Sequence, residues 1–280
     1  MRDQCPSCFE ERIGYVGEIA RHNAYFCHAC GLAFMESGSY DSYRHDEWYD
    51  WLDFTAEVGR KHLKLSEKVV RNQLKVMSAI SSGRRIIDVG AGIGIFAKIA
   101  SQEGWEVICA DLNDRAKKFG TEIYGLHYRN LEDVPPASLD VVRLSHVLEH
   151  VSQPQAFLAS VRRVLKPNGI CVVLVPNYEP LSCVLKNFVL RRIPGQHDFR
   201  GHIYAPQHVL GFNPSSLQRT FTLAGFRPVR IQSVSQGSRA YYRWKSDGVR
   251  LTLRQITYEV LNNLGNAFGL GSWVVGYFQV

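Results

Sequence analysis

Residues 84–97 join a short apolar run ending in an acid, three alternating glycines, and the start of an apolar helical pattern. They read Arg84-Arg85-Ile86-Ile87-Asp88-Val89-Gly90-Ala91-Gly92-Ile93-Gly94-Ile95-Phe96-Ala97. Glycines directly after a strand let the backbone reverse sharply and approach a ligand, with the N–H groups of the next helix close by. The same rhythm continues downstream. WEVICAD (105–111) is expected as a second strand and RAKKFG begins a helix after it. LHYRN (126–130) reads as a third strand and LDVVRLS (139–145) as a fourth. A helix over 155–166 then leads through Pro167-Asn168-Gly169 to the strand ICVVLV (170–175). Strands alternating with helices of this length argue βαβ units and a parallel sheet covered on both faces.

The flanks differ in character. Cys5-Pro-Ser-Cys8 and Cys27-His-Ala-Cys30 form two C-x2-C pairs separated by eighteen residues. Each pair can aim two thiolates at one point, and two pairs complete a tetrahedron around Zn²⁺, so residues 1–35 read as a zinc ribbon with Cys5, Cys8, Cys27 and Cys30 as ligands. Four sulfur ligands leave no open position, so this zinc would be structural. Residues 36–83 follow as an aromatic linker, in which Trp48 and Tyr49 could lid a site, and a long packing helix from Phe54 to Ile80. Residues 84–280 form the expected α/β domain. Prolines, arginines and histidines break its rhythm over 176–213, which reads as an insert. A helix over 214–225 follows, with Asn213 as cap and Gly225 as stop, then a strand at 228–234, a helix at roughly 250–264 and a last strand at 271–278.

Composition narrows the classes. With 280 residues and 45% hydrophobic side chains the chain can bury a core, which excludes overall disorder. No apolar run is long enough to span a membrane, and the start, MRDQCPSCFE, has no signal-peptide core; the cytoplasm is the expected compartment. Net charge is +7, and residues 181–280 hold 12 basic side chains against three acidic ones. The excess is therefore regional, and marks either a solvated face or an anionic partner.

Taken alone, the glycine turn is ambiguous. Gly92, Gly94 and Ala97 also satisfy G-x-G-x-x-[G/A], and Asp111 lies near the distance expected for gripping a ribose, so a nicotinamide dinucleotide site stays open on this motif. The wider pattern resembles class I S-adenosylmethionine-dependent methyltransferases: D-x-G-x-G-x-G after the first strand, Asp111 ending the second, then NLEDVP (130–135), LDVVRLSHVLEHV (139–151), LKPNG (165–169) and VPN (175–177). Within these it is most similar to the ubiquinone-biosynthesis O-methyltransferase type, preceded by a zinc ribbon. The resemblance implies a doubly wound, seven-stranded, mostly parallel α/β fold. It implies that Asp88 and the turn Gly90, Ala91, Gly92 and Gly94 hold the amino-acid end of S-adenosylmethionine. Asp111 would accept from the ribose hydroxyls, Leu112 would pack on the adenine, and Asn130 stands where the family usually has Asp. Leu131 would offer its backbone N–H, and Ser145 and His146 would face the methyl group.

The chemistry then requires an aligned acceptor and, for a hydroxyl, a base that removes its proton. Helical spacing would put His146, Glu149 and His150 on one face. Related enzymes carry E-x-x-E-H here, associated with a divalent metal; His146 replaces the first Glu, giving a nitrogen-rich set less suited to Mg²⁺. His150 and His146 are base candidates, and the resemblance of 196–204 to the family's loop that lines the acceptor pocket, within the insert 176–213, adds His202. Arg191, Arg192 and Arg200 would surround an anionic acceptor. The expected activity is O-methylation of a small anionic or sugar-containing metabolite. The rivals are an RNA methyltransferase docking through the ribbon and the basic last third, and a zinc-ribbon binding protein with a vestigial catalytic domain. Oligomeric state is not readable.

Overall fold

The computed structural model describes residues 4–19, 22–36, 55–190, 208–235, 260–261 and 264–280. In chain order the elements are β1 (Ile13–Ile19), β2 (His22–Cys27), β3 (Ala33–Met35), α1 (Ala56–Ile80), β4 (Arg85–Val89), α2 (Ile95–Gln102), β5 (Glu106–Ala110) and α3 (Asp114–Tyr124). There follow β6 (Leu139–Ser145), α4 (Pro154–Val164), β7 (Leu165–Pro176), α5 (Leu181–Leu190), β8 (Leu210–Gly211), α6 (Pro214–Leu223), β9 (Arg227–Val234) and β10 (Trp273–Gln279). Two single 3-10 turns, Leu131–Asp133 and Leu148–His150, lie beside the elements that matter below.

The large sheet has the order β5-β4-β6-β7-β10-β9, with β5, β4, β6 and β7 parallel and β10 antiparallel to both its neighbours. The strand expected at 126–130 contributes a single parallel bridge, Tyr128 to Cys109, held by Cys109 N–H to His127 C=O and Arg129 N–H to Cys109 C=O. Its pairing stops there because Gly125, left-handed at φ 68°, ends α3 on one side and the 3-10 turn begins on the other.

Alternation along the strands explains the two layers. Ile86 faces the layer of α1 and α2, where Leu74, Met77, Phe96 and Ile99 are buried against it. Ile87 faces the opposite layer, where Leu158, Val161, Leu217, Phe221 and Phe278 form the larger core. In β6, Leu139 to Val142 and Leu144 are buried on both sides, which explains a strand with little polar alternation. The helix expected to reach Lys166 ends instead at Val164, and β7 takes up Lys166-Pro167-Asn168-Gly169. Proline disfavours helical backbone in the residue before it, and Asn168 has φ 66°. Helix α6 starts as expected: Asn213 accepts from Ser216 N–H, and Ser216 Oγ accepts from Asn213 N–H.

The small sheet departs from a free-standing appendage. Its order is β1-β2-β3-β8, so its last strand comes from the α/β part of the chain, after α5. Tyr25, Leu32 and Phe34 of the N-terminal region share one core with Leu148, Leu217 and Phe221. Residues 37–54, most of the aromatic linker with Trp48 and Tyr49, lie outside the described residues, as do 191–207 and 236–259. Among the described residues, no helix is long and apolar enough to cross a membrane.

Candidate functional site

Parallel strands β4, β5, β6 and β7 end at one edge of the sheet, and β4 lies between β5 and β6, where the chain order reverses. Ligands bind in the crevice outside such a switch point. Here the glycine turn, Asp111 and the Ser145–His146 corner converge.

The turn needs glycine for two reasons. Gly90 and Gly94 are left-handed, at φ 73° and 82°. A Cβ on Gly90 would strike Val147, and one on Gly94 would strike Leu126, so the bare backbone also makes room for packing from within the protein. Asp111, half-buried, accepts from Gly92 N–H at 2.7 Å and from Asn113 N–H at 2.8 Å, so the acid ending β5 fixes the turn. Tyr128 donates to Gly92 C=O at 2.8 Å from below. Leu112 is 68% exposed at the mouth, an apolar surface offered to solvent. Asn130 is exposed and donates to Asp133 at 3.3 Å, while Leu131 is buried and its carbonyl accepts from Arg163.

Asp88 is placed differently from its neighbours in the motif. It is 1% exposed, on the buried face of β4, and its Oδ1 accepts from Arg143 Nη1 at 2.6 Å. Burial pushes its carboxyl up and Arg143 pulls it back. The guanidinium also lies 4.1 Å above the Phe96 ring. Arg143 was not singled out from the sequence, yet a cation inside the apolar strand LDVVRLS is a signal, because such a group requires a buried partner.

The expected helical face of His146, Glu149 and His150 is a sharp corner followed by a single 3-10 turn. His146 itself is left-handed at φ 57°, with its N–H bonded to Leu174 C=O. Its Nδ1 lies 3.3 Å from Glu149 Oε1 and its ring is edge-on to Trp273 at 4.5 Å. Glu149 is 1% exposed. Burial opposes its ionisation, but the His146 contact and the imidazoles of His150 and His208 outweigh this and hold the carboxyl below the ordinary glutamate value. His208 is the member that sequence reasoning missed, since no spacing links it to the E-H pair. Its ring lies 4.9 Å from that of His150, and one ligand atom each from Glu149, His150 and His208 fall within 4.8 Å of one another. Burial, with the neighbouring imidazoles and against Glu149, draws His208 down to about 4. His202, Arg191, Arg192 and Arg200 lie outside the described residues.

The second cluster lies in the N-terminal module. Sγ of Cys5 lies 3.7 Å from that of Cys30, and Sγ of Cys8 lies 3.5 Å from that of Cys27, with all four within 4.8 Å of one another. Tetrahedral Zn–S bonds of about 2.3 Å place sulfurs roughly 3.8 Å apart, close to these two separations, so the four thiols could hold such an ion. The bond with Cys30 draws the Cys5 thiol down to about 5. Cys109, Cys171 and Cys183 are buried.

Comparison with known proteins fits this geometry. A family profile described as a methyltransferase domain matches residues 40–231. The chain belongs to the methyltransferase-domain family. Ubiquinone biosynthesis O-methyltransferase of Cereibacter sphaeroides is 32% identical over 161 residues, 52% of this chain and 62% of the relative. The mitochondrial enzyme of that name from Schizosaccharomyces pombe is 30% identical over 190 residues, 57% of this chain and 64% of the relative. The chain thus spans less than two thirds of the length of these methyltransferases. The fold is that of a SAM-dependent methyltransferase from Archaeoglobus fulgidus, with a TM-score of 0.52 and 20% identity over 76% of this chain and 94% of that one. Phosphoethanolamine N-methyltransferase 2 of Haemonchus contortus, in complex with S-adenosyl-L-methionine, matches with a TM-score of 0.52 and 16% identity over 88% of this chain and 61% of that one.

Two outcomes are expected. Arg143→Met leaves the Asp88 charge buried without its partner and should cost about 3–5 kcal/mol, read by urea denaturation, with Asp88→Asn restoring much of the loss. Because the folded pKa of His208 lies below its unfolded value, the unfolded chain binds the extra proton. Stability should therefore fall from about pH 6.5 to about 4, by about 3 kcal/mol in all. Denaturation at a series of pH values should show that limb flattened in His208→Gln.

Proposed function

We propose that this chain is an S-adenosylmethionine-dependent O-methyltransferase in which His146, oriented by Glu149, is the general base. The observation that carries this reading is the His146–Glu149 contact at the corner beside the glycine turn. The ionised carboxylate is acceptor-only, so it holds the proton on Nδ1 and leaves Nε2 free to take one. The imidazole is 41% exposed, while its orienting acid is 1% exposed. That is the division of labour expected of a base and the group that fixes its tautomer.

The cofactor site fits the residues present. Asp111 keeps lone pairs beyond those used by Gly92 and Asn113, and those would accept from ribose hydroxyls. Leu112 offers the adenine an exposed apolar surface, and the Gly90–Gly94 turn with Ser145 would border the amino-acid end. Asp88 acts from beneath the turn. When bound, the cofactor supplies a methyl group on a sulfonium, already a good leaving group. The chain aligns the acceptor, and His146 Nε2 takes the hydroxyl proton. The charge balance of the last hundred residues, 12 basic against three acidic, supports a small anionic or sugar-containing acceptor. Zinc at the four cysteines is structural in this reading.

One observation favours a second reading of the same corner. Glu149 Oε2 is buried without a hydrogen-bond partner, in a group with His150 and His208. Two imidazoles and one carboxylate suit Zn²⁺, Fe²⁺ or Mn²⁺ better than Mg²⁺, and such an ion would polarise the acceptor oxygen.

Calorimetry with S-adenosylmethionine tests the proposal: the intact protein should bind, and Asp111→Ala should weaken binding by about 10-fold or more with far-ultraviolet circular dichroism unchanged. A protein that does not bind the cofactor refutes it. With an acceptor drawn from a panel of phenols, hydroxy acids and sugars, His146→Ala should lower the single-turnover rate by about 100-fold at unchanged cofactor affinity.

A further inference from the structure

We infer that the N-terminal four-cysteine module is the outer wall of the catalytic centre and positions His208. The inference rests on the reading of the Glu149 corner as catalytic, and it assigns the module a role beyond stability. Residues 208–213 run as a single strand of chain between two backbones. On one side, Met35 N–H donates to Val209 C=O at 2.9 Å, and Ala33 and Phe34 pair with Gly211 and Leu210. On the other side, Val209 N–H donates to Glu149 C=O at 2.8 Å, and Phe212 bridges to Asn177 and accepts from Tyr178 N–H at 2.6 Å. Val209 therefore joins β3 to Glu149 through its own two backbone groups, and His208 is the residue beside it.

The module is anchored tightly enough to act as a wall. Strand β3 starts three residues after Cys30, and the intervening turn is closed by Gly31 N–H to Cys27 C=O and Cys27 N–H to Leu32 C=O, both 2.9 Å. The first cysteine turn docks on α4 and α6: Ser7 Oγ shares a 2.7 Å hydrogen bond with Thr220 Oγ1, and Gln155 Nε2 donates to Ser7 C=O at 3.0 Å. Ser7, Leu32, Phe34 and Thr220 are fully buried. Strand β8 is only two residues long, so without β3 the segment carrying His208 would keep pairing on one side alone. The cofactor turn, by contrast, is held by Asp111, Tyr128 and Val147, none of them in the module.

Hydrogen exchange on the full-length protein, with zinc content and S-adenosylmethionine affinity measured on the same samples, tests this. Removing zinc with a chelator, or by Cys27→Ser, should raise exchange at residues 208–212 and 148–150 by 10-fold or more. Exchange over 85–102 and cofactor affinity should change less than two-fold, and zinc added back should restore the chelated wild type. Met35→Pro deletes the N–H given to Val209 and keeps all four thiols. It should open the same residues with zinc retained, while Met35→Leu, which keeps the N–H, should leave them protected. The inference is overturned if 208–212 stay protected after these changes. It is equally overturned if wild-type protein holds no zinc yet shows full protection, or if exchange rises equally over 85–102 with cofactor affinity lost. Cofactor binding by the intact protein reports the enzymatic reading separately, so the two can fail independently.

Discussion

Glu149 is a carboxylate taken out of water, and the geometry of the acceptor side follows from what keeps it charged. A buried acid without compensation would take up a proton. Three imidazoles converge on this one, from the end of β6, from the 3-10 turn and from the chain before β8. Its backbone carbonyl also fixes Val209. One residue thus ties together the base candidate, the cluster suited to a metal and the strand shared with the N-terminal module. Moving any of these would expose or unpair the carboxylate, which is a physical reason for the corner to be rigid.

Asp88 and Arg143 apply the same rule beneath the glycine turn, with a different outcome. Their charges are cross-strand neighbours in β4 and β6, at the switch point of the sheet, and both are largely shielded from water, at 1% exposure for Asp88 and 12% for Arg143. The first acid of the motif is thereby paired with Arg143 beneath the turn, while Asp111 is the more accessible of the two.

Much of this was legible in the sequence. The strand LDVVRLS (139–145) coincides with β6, the glycine turn falls between β4 and α2, and Asn213 caps α6 as its position before Pro-Ser-Ser suggests. These features depend on neighbouring residues, so spacing reports them. What escaped depends on pairing between distant segments. His208 joins Glu149 and His150 only because β3 and the end of β7 hold 208–213 between them, and nothing near His208 in the chain encodes that. The helical face expected for His146, Glu149 and His150 became a corner because His146 adopts a left-handed backbone, and no sequence period announces one such residue. Arg143 was visible in principle, as a charge where β6 should be apolar.

The strand exchanged between the two parts of the molecule sets an order for assembly. Phe34 pairs with Leu210, about 176 positions later in the chain. During synthesis the four cysteines and strands β1 to β3 emerge with that edge open, and it stays open until β8 has been made. An unpaired edge is a template for the wrong partner, and contacts so distant in sequence form late. Metal captured by the early cysteines would give the waiting module a fixed shape, so that residues 208–213, on arriving, meet a finished edge and close the small sheet and the Glu149 corner in one step.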